Sequence, residues 1–138
     1  NLAYLLAQDI GVGLKDPAAI KEAQPYADEA AGLLDQQATP QLYVGANVLD
    51  TVGWVRFLGG DLDRALESLN RSIEMHPLQV AYYHRAQVYA KQDKMDDARD
   101  DATTALKWNK QPVDASVALN AQQLLNELNI KNKVSSDR

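Results

Sequence analysis

Apolar residues recur every three or four positions along most of this 138-residue chain, which is the spacing of one face of an α-helix. No stretch alternates between apolar and polar residues for long enough to predict a β-strand. The pattern predicts an all-α protein whose antiparallel helices are joined by turns of two to four residues. The apolar positions that define the four central helices are Val48, Val52 and Val55; Leu62, Ala65, Leu66, Leu69 and Ile73; Tyr82, Ala86 and Tyr89; and Met95, Ala98, Ala102, Ala105 and Leu106.

The two central helix pairs repeat with a period of 33 residues. The turn residues Gly60-Asp61 and Asp93-Lys94 fall at the same place in both pairs. Since the distance between two helix axes depends on the side chains at their contact, small residues in matched slots predict closely packed helices. The matched slots hold Gly53 and Ala86, Ala65 and Ala98, Leu69 and Ala102, and Ser72 and Ala105.

These positions carry a resemblance to a known family. The stretch from Leu49 to Pro77 resembles a tetratricopeptide repeat in its Gly, Ala, Leu and Pro positions. The unit from Tyr82 to Asn109 is similar, but it has Asp93 where the family usually has Gly and Lys110 where it usually has Pro. The resemblance implies a right-handed α-solenoid of antiparallel helix pairs with a C-terminal capping helix.

We interpret residues 1–138 as one domain and as a fragment of a longer chain, because Asn1 opens directly into a helical pattern. A degenerate first repeat is indicated by Asn1-Leu2-Ala3 together with Ala23, Ala27 and Ala30, with insertions before Pro17 and around Thr39-Pro40. The predicted segments are a degenerate repeat over 1–45, repeats over 46–78 and 79–111, a capping helix over 112–128 and a flexible tail over 129–138.

Three features at the two ends refine this prediction. Asp16 followed by Pro17 is typical of a helix start, which predicts a short helix from Pro17. Pro25 predicts a break or kink at residues 24–25, because proline cannot donate a backbone hydrogen bond inside a helix. The capping helix is predicted from the apolar positions Val117, Ala121, Leu124 and Leu128.

Composition and charge exclude several classes of function. Fourteen Lys and Arg against nineteen Asp and Glu give a formal charge of −5, so no nucleic-acid partner is predicted. Without cysteine, the chain has neither a disulfide nor a thiol nucleophile. Its apolar runs are far shorter than the roughly 18 residues of a membrane span, so this segment is not expected to insert into a membrane.

The titratable residues do not predict a catalytic or metal site. His76 and His84 lie on different elements without a third ligand at a suitable spacing. No motif for nucleophilic catalysis or phosphate binding is present, so we predict a non-catalytic protein without cofactor or metal. A solvated acidic face is predicted for Asp93, Asp96, Asp97, Asp100 and Asp101, which are interleaved with Lys94 and Arg99.

The resemblance implies a concave groove lined by the first helix of each repeat. Residues on that line are Tyr4 in the first unit, Asn47, Asp50, Trp54 and Phe57 in the second, and Tyr83, Gln87 and Lys91 in the third. Aromatic residues are favoured interface anchors, which favours a protein or peptide partner with an apolar or aromatic segment. One basic group of the partner is expected to meet Asp50. With Lys91 as the only nearby cation, a carboxylate clamp of the kind known in this family is not expected.

Two hypotheses stay open for function and two for Trp54. The chain is either a protein-protein interaction scaffold that binds a partner segment in the groove, or a structural spacer that self-associates through exposed repeat ends. Trp54 either anchors the partner or fills a gap between repeats. The repeats are also similar to those of bacterial proteins associated with exopolysaccharide export and of outer-membrane lipoproteins, which implies a periplasmic or envelope location.

Overall fold

The computed structural model describes residues 16–136. In this range the chain forms six α-helices and no β-strand, so the predicted all-α class is confirmed for the described residues. The chain divides into two compact units, one ending at Leu78 and the other beginning at Gln79. The helices are α1 (Pro17–Asp35), α2 (Leu42–Leu58) and α3 (Leu62–Met75) in the first unit, and α4 (Gln79–Lys91), α5 (Met95–Leu106) and α6 (Ala115–Ser136) in the second.

In the first unit, α2 and α3 form a closely packed antiparallel pair. Near one end, the Ser72 hydroxyl donates a 2.6 Å hydrogen bond to the carbonyl of Ala46. Nearer the other end, a Cβ atom added to Gly53 would lie 2.7 Å from Cγ of Leu69, closer than real contacts allow. The missing side chain of Gly53 therefore sets the distance between the two helices, as the sequence predicted.

Helix α1 packs on α2 through a row of alanines. Ala23, Ala27 and Ala31 are buried against Val52 and Val55. Their small side chains let the two backbones approach, since interaxial distance follows the residues at the contact. This cluster is the core of the contact between the two helices.

The helix predicted from Pro17 is present but is not short, since it has 19 residues. Of the break or kink predicted at residues 24–25, the break is wrong. Helix α1 is one continuous element from Pro17, with Pro25 inside it, and the Asp16 carboxylate accepts the first-turn N–H of Ala18 at 3.0 Å. Proline removes one backbone hydrogen bond from the helix. Ala23 and Ala27, on either side, are both held in the core with α2, so tertiary packing keeps the helix together across the proline.

The second unit is a three-helix arrangement in which α6 covers the α4–α5 pair. Val117 and Ala121 of α6 pack with Ala105, and further along Leu124 and Leu128 pack with Ala98 and other residues of the pair. All four predicted apolar positions of α6 are buried. The helix predicted over 112–128 is therefore present and packs on its neighbours, as α6.

Helix α6 continues beyond the predicted end at Leu128, to Ser136, where we expected a flexible tail from residue 129. Asn129, Ile130, Lys131 and Lys133 are exposed in this extension. Apolar periodicity reports burial, so an exposed helical extension leaves no such signal in the sequence. The lysines in its last turns also favour the helix, because they face the negative end of its dipole.

The hydrogen bonds of the two central pairs recur at the 33-residue offset. Across the first turn, the N–H of Asp61 donates to the carbonyl of Arg56 at 3.0 Å, and across the second, the N–H of Lys94 donates to that of Tyr89 at 2.9 Å. The eight residues of the four matched slots are all buried. The local geometry of the turns therefore follows the sequence period.

The contact between Ser72 and Ala46 also has a counterpart. At the equivalent positions, the side-chain amide of Gln79 donates a 3.0 Å hydrogen bond to the carbonyl of Ala105. Donor and acceptor have exchanged helices, but the same two positions are joined in both pairs. Equivalent positions are thus joined in both pairs, by a serine hydroxyl in the first and by a glutamine amide in the second.

The second turn is the weaker of the two. Gly60 has a φ of 86°, and its equivalent Asp93 adopts a φ of 59°, a left-handed conformation that costs L-residues free energy. Asp61 caps α3 by accepting the N–H of Arg64 at 3.1 Å, whereas Lys94 provides no side-chain cap for α5. The second turn therefore lacks two stabilising features of the first, a glycine at the left-handed position and a side-chain cap on the following helix.

We expect Asp93→Gly to raise the free energy of unfolding by about 1 kcal/mol by relieving the left-handed strain. Lys94→Asp should add about 1 kcal/mol through the new helix cap. Urea unfolding of a Trp54→Phe background measures both changes, because Trp108 then reports on the second unit alone. Gly60→Ala is the reverse control and should lose stability, because Gly60 has a left-handed φ. It lies in the first unit and is therefore followed through Trp54 in a Trp108→Phe background. A loss of stability in Asp93→Gly would contradict the left-handed assignment.

Candidate partner-binding surface

Four predicted site residues share one side of α2. Asn47, Asp50, Trp54 and Phe57 follow one another at steps of three, four and three residues, which aligns them along the helix. The adjoining side, with Gly53, faces α3, and the side with Val52 and Val55 faces α1. Packing on both neighbours therefore fixes the rotation of α2 about its axis, and with it the direction in which this line of residues points.

Trp54 and Phe57 form a stacked aromatic pair on this side of α2. Their ring centroids are 4.9 Å apart and the ring planes differ by 20°. Both side chains are half-buried, and Trp54 also packs against the alanine and valine core between α1 and α2. Trp54 therefore keeps an exposed edge while its body is held by the core, so neither of its two predicted roles is eliminated.

The polar members of the line are less available than the sequence suggested. The side-chain amide of Asn47 donates a 2.8 Å hydrogen bond to the carbonyl of Tyr43, one turn earlier. Asp50 is only 7% exposed, which corrects the prediction that it offers an open carboxylate to a basic group of a partner. Asp50 lies one turn from Ala46 and Gly53, so it borders the face that packs on α3.

In the second unit, Tyr83 and Gln87 lie one turn apart on α4. The Gln87 side-chain amide donates a 2.8 Å hydrogen bond to the Tyr83 hydroxyl. The Tyr83 ring is half-buried and packs against the residues that join α4, α5 and α6. Part of this ring therefore serves the core of its own unit, while Lys91, at the end of α4, is exposed. Tyr4 lies outside the described residues.

The sequence missed an ion pair between α4 and α5. Arg85 donates two hydrogen bonds to the Asp101 carboxylate, from Nε at 2.7 Å and from one terminal nitrogen at 2.8 Å. Asp101 is 6% exposed, so it does not belong to the solvated acidic face on which we placed it. The other four aspartates of that group are exposed. Asp101 is three residues from Ala98 and four from Ala105, so its spacing places it beside the packing positions of α5 but does not identify the arginine that pairs with it.

Two tyrosines complete the surroundings of this ion pair. The guanidinium carbon of Arg85 lies 5.4 Å from the ring centroid of Tyr82 and 5.8 Å from that of Tyr89. The hydrogen bond to Asp101 raises the pKa of Arg85 above its ordinary value. Burial raises the pKa of the Tyr89 hydroxyl, and the neighbouring charge of Arg85 opposes that shift.

A second unpredicted cluster joins the three helices of the first unit. Arg56 of α2 is 8% exposed and donates a 2.6 Å hydrogen bond to the hydroxyl of Ser68 in α3. It also donates to the carboxylate of Asp28 in α1 at 3.3 Å, and Arg64 lies 3.6 Å from the same oxygen atom. These contacts bind α1, α2 and α3 to one another, so the cluster stabilises the packing of α2, the helix that carries Trp54 and Phe57.

A metal cluster and a membrane span are two features that residues 16–136 lack. No group of three or more His, Asp or Glu side chains in this range is placed to hold a metal ion. None of the helices in this part of the chain is both long and apolar enough to cross a membrane.

Comparison with known proteins adds no assignment. A scan against protein-family models gives no match, and a search of the curated proteins gives none either. Any functional interpretation of this chain must therefore rest on the geometry of its own residues.

Proposed function

We propose that this chain is a non-catalytic protein-protein interaction scaffold of the tetratricopeptide-repeat type, built as a right-handed solenoid of helix pairs. The observation that carries the proposal is the recurrence of the same turn hydrogen bond at 33 residues, between Asp61 and Arg56 in one pair and between Lys94 and Tyr89 in the next. Stacked helix pairs of this kind present extended surfaces for partners.

The binding surface in this proposal is centred on Trp54 and Phe57. A half-buried tryptophan whose body is fixed by the core loses little conformational entropy when a partner covers its exposed edge. Large apolar area with a polar tip makes such residues frequent interface anchors. Because Asp50 is buried, the preferred partner segment carries apolar or aromatic side chains and needs no basic group.

Selection from a random-peptide display library on the full chain tests this function. We expect the enriched peptides to carry aromatic or large aliphatic residues and to shift the NMR signal of the Trp54 indole N–H. Trp54→Ala should weaken their binding about tenfold or more, since truncation of an anchor typically costs ~2 kcal/mol. The Trp108→Phe variant is the matched control and should bind unchanged.

Phe57→Ala provides a second variant in case Trp54→Ala loosens the core, because Phe57 is not among the residues packed against the α1–α2 cluster. Peptides that bind both variants as tightly as the parent would contradict the proposed surface. An absence of enriched peptides, combined with concentration-dependent self-association that Trp54→Ala leaves unchanged, would favour the structural spacer instead.

A further inference from the structure

The buried side chain of Gln79 forms hydrogen bonds at both ends of the loop between α5 and α6. The amide nitrogen of Gln79 donates to the carbonyls of Ala105 at 3.0 Å and Asp114 at 3.2 Å, and its amide oxygen accepts the N–H of Asp114 at 2.8 Å. Gln79 is 6% exposed, so these bonds are shielded from water. The loop over 107–114 is thus held in place although its own residues are exposed or half-exposed.

The loop carries an aromatic and basic surface. The Trp108 ring is half-buried, and its centroid lies 5.8 Å from that of Tyr82 in α4. The ammonium group of Lys110 lies 5.5 Å from the Trp108 ring centroid, while Lys107 is exposed and Val113 is 43% exposed. We call Lys107, Trp108, Lys110 and Val113 the basic loop.

The charge of the basic loop is opposite to that of the chain as a whole. The chain has a net charge of −5, yet it contains no Asp or Glu between Asp101 and Asp114. The Asp114 carboxylate at the loop's end caps α6, where the hydroxyl of Ser116 donates to it and lowers its pKa. The two lysines therefore give the loop a local positive charge beside an exposed apolar surface.

We propose that the basic loop binds an acidic segment of a partner protein, whose carboxylates pair with Lys107 and Lys110 and whose apolar side chain rests on Trp108 and Val113. Charge complementarity selects this occupant. A nucleic acid fits less well, because two lysines neutralise only a few of its many phosphates. This site belongs to the second unit, whereas Trp54 belongs to the first.

Titration of the full chain with a synthetic peptide, in which glutamates surround a central leucine, tests this proposal. The same peptide with glutamine in place of glutamate is the control ligand. At low salt we expect the glutamate peptide to shift the NMR signal of the Trp108 indole N–H and to leave that of Trp54 in place. Raising the salt should weaken binding, because exposed charges are screened.

The variant Lys107→Gln with Lys110→Gln should weaken the glutamate peptide by about tenfold, the loss expected for two exposed charge pairs. Lys131→Gln, which removes an exposed lysine of α6, is the matched control and should bind as the parent does. The lysine variants keep Trp108 and Gln79, which are the residues that pack and hold the loop, so we expect them to fold as the parent does. A circular dichroism spectrum like the parent's checks this.

Three results would overturn the inference. The glutamine peptide could bind as tightly as the glutamate peptide, the double lysine variant could bind without loss, or a single-stranded oligonucleotide could shift the Trp108 signal at lower concentration than the peptide does. None of these three results affects the test of the Trp54 surface, because that test uses peptides with apolar side chains and the indole signal of Trp54.

Discussion

Asp101→Ala should lower the free energy of unfolding by about 3 kcal/mol, the lower end of the range for breaking a buried ion pair. The loss arises because Arg85, whose side chain is 19% exposed, keeps its charge while its bidentate partner is gone. The lower end applies because Arg85 retains some contact with water. Chemical denaturation of a Trp54→Phe background, followed through Trp108, measures the change in the second unit.

The matched control for this experiment lies on the same helix. Asp96 pairs with Arg99 at 2.6 Å, but the Asp96 side chain is 98% exposed. Asp96→Ala should therefore change the stability by less than about 0.5 kcal/mol. Arg85→Met combined with Asp101→Ala removes both charges and should recover most of the loss. Equal effects of Asp101→Ala and Asp96→Ala would show that burial adds nothing to the Arg85 pair.

The contact between Gly53 and Leu69 should show a strong coupling between two substitutions. Leu69 is 0% exposed, and Leu69→Ala should cost about 2 to 5 kcal/mol by leaving a cavity. Gly53→Ala should cost about 1 to 3 kcal/mol by overpacking, from which the higher helix propensity of alanine removes up to about 1 kcal/mol. The cost arises because the added Cβ meets Leu69 at 2.7 Å and the carbonyl of Ala65 at 3.2 Å.

The double variant should be less destabilised than the sum of the two single variants, by about 1 to 3 kcal/mol. Leu69→Ala opens the space that the new Cβ of Gly53→Ala fills. The second helix pair already has this combination, since Ala86 and Ala102 occupy the equivalent slots and are both fully buried. Urea unfolding of a Trp108→Phe background, followed through Trp54, measures the four stabilities of the cycle.

Gly32→Ala is the control for this cycle. It makes the same substitution inside a helix, but a Cβ at Gly32 meets no atom within 4 Å. The variant should therefore gain stability, by up to about 1 kcal/mol. Strict additivity of Gly53→Ala and Leu69→Ala would contradict the close approach of α2 and α3 at this point.

Helix identity and the small contact residues were predictable because both leave local signals. Periodic apolar positions located the four central helices and α6, and the matched slots from Gly53 to Ala105 marked residues that are buried. Pro25 shows the limit of this reasoning. Its local effect on a helix is known, but the alanine row that holds α1 on α2 decided the outcome.

The candidate site was predictable only in part. The spacing of Trp54 and Phe57 placed them on one side of α2, and their stacking agrees with that spacing. The burial of Asp50 and the use of Tyr83 in the core of its unit did not follow from spacing, because both depend on the residues around them. The fixed position of the loop over 107–114 depends on Gln79, which precedes that loop by a whole helix pair.

By itself the sequence determined that the described chain is helical, where its two similar turns lie and which small residues permit close packing. These properties arise from backbone preferences and side-chain volumes within one or two helical turns. Only the tertiary structure decided which charged and polar side chains are buried, such as Arg56, Asp101 and Gln79. Burial of a charge is favourable only when another helix supplies the compensating hydrogen bonds, and a local pattern does not contain that partner.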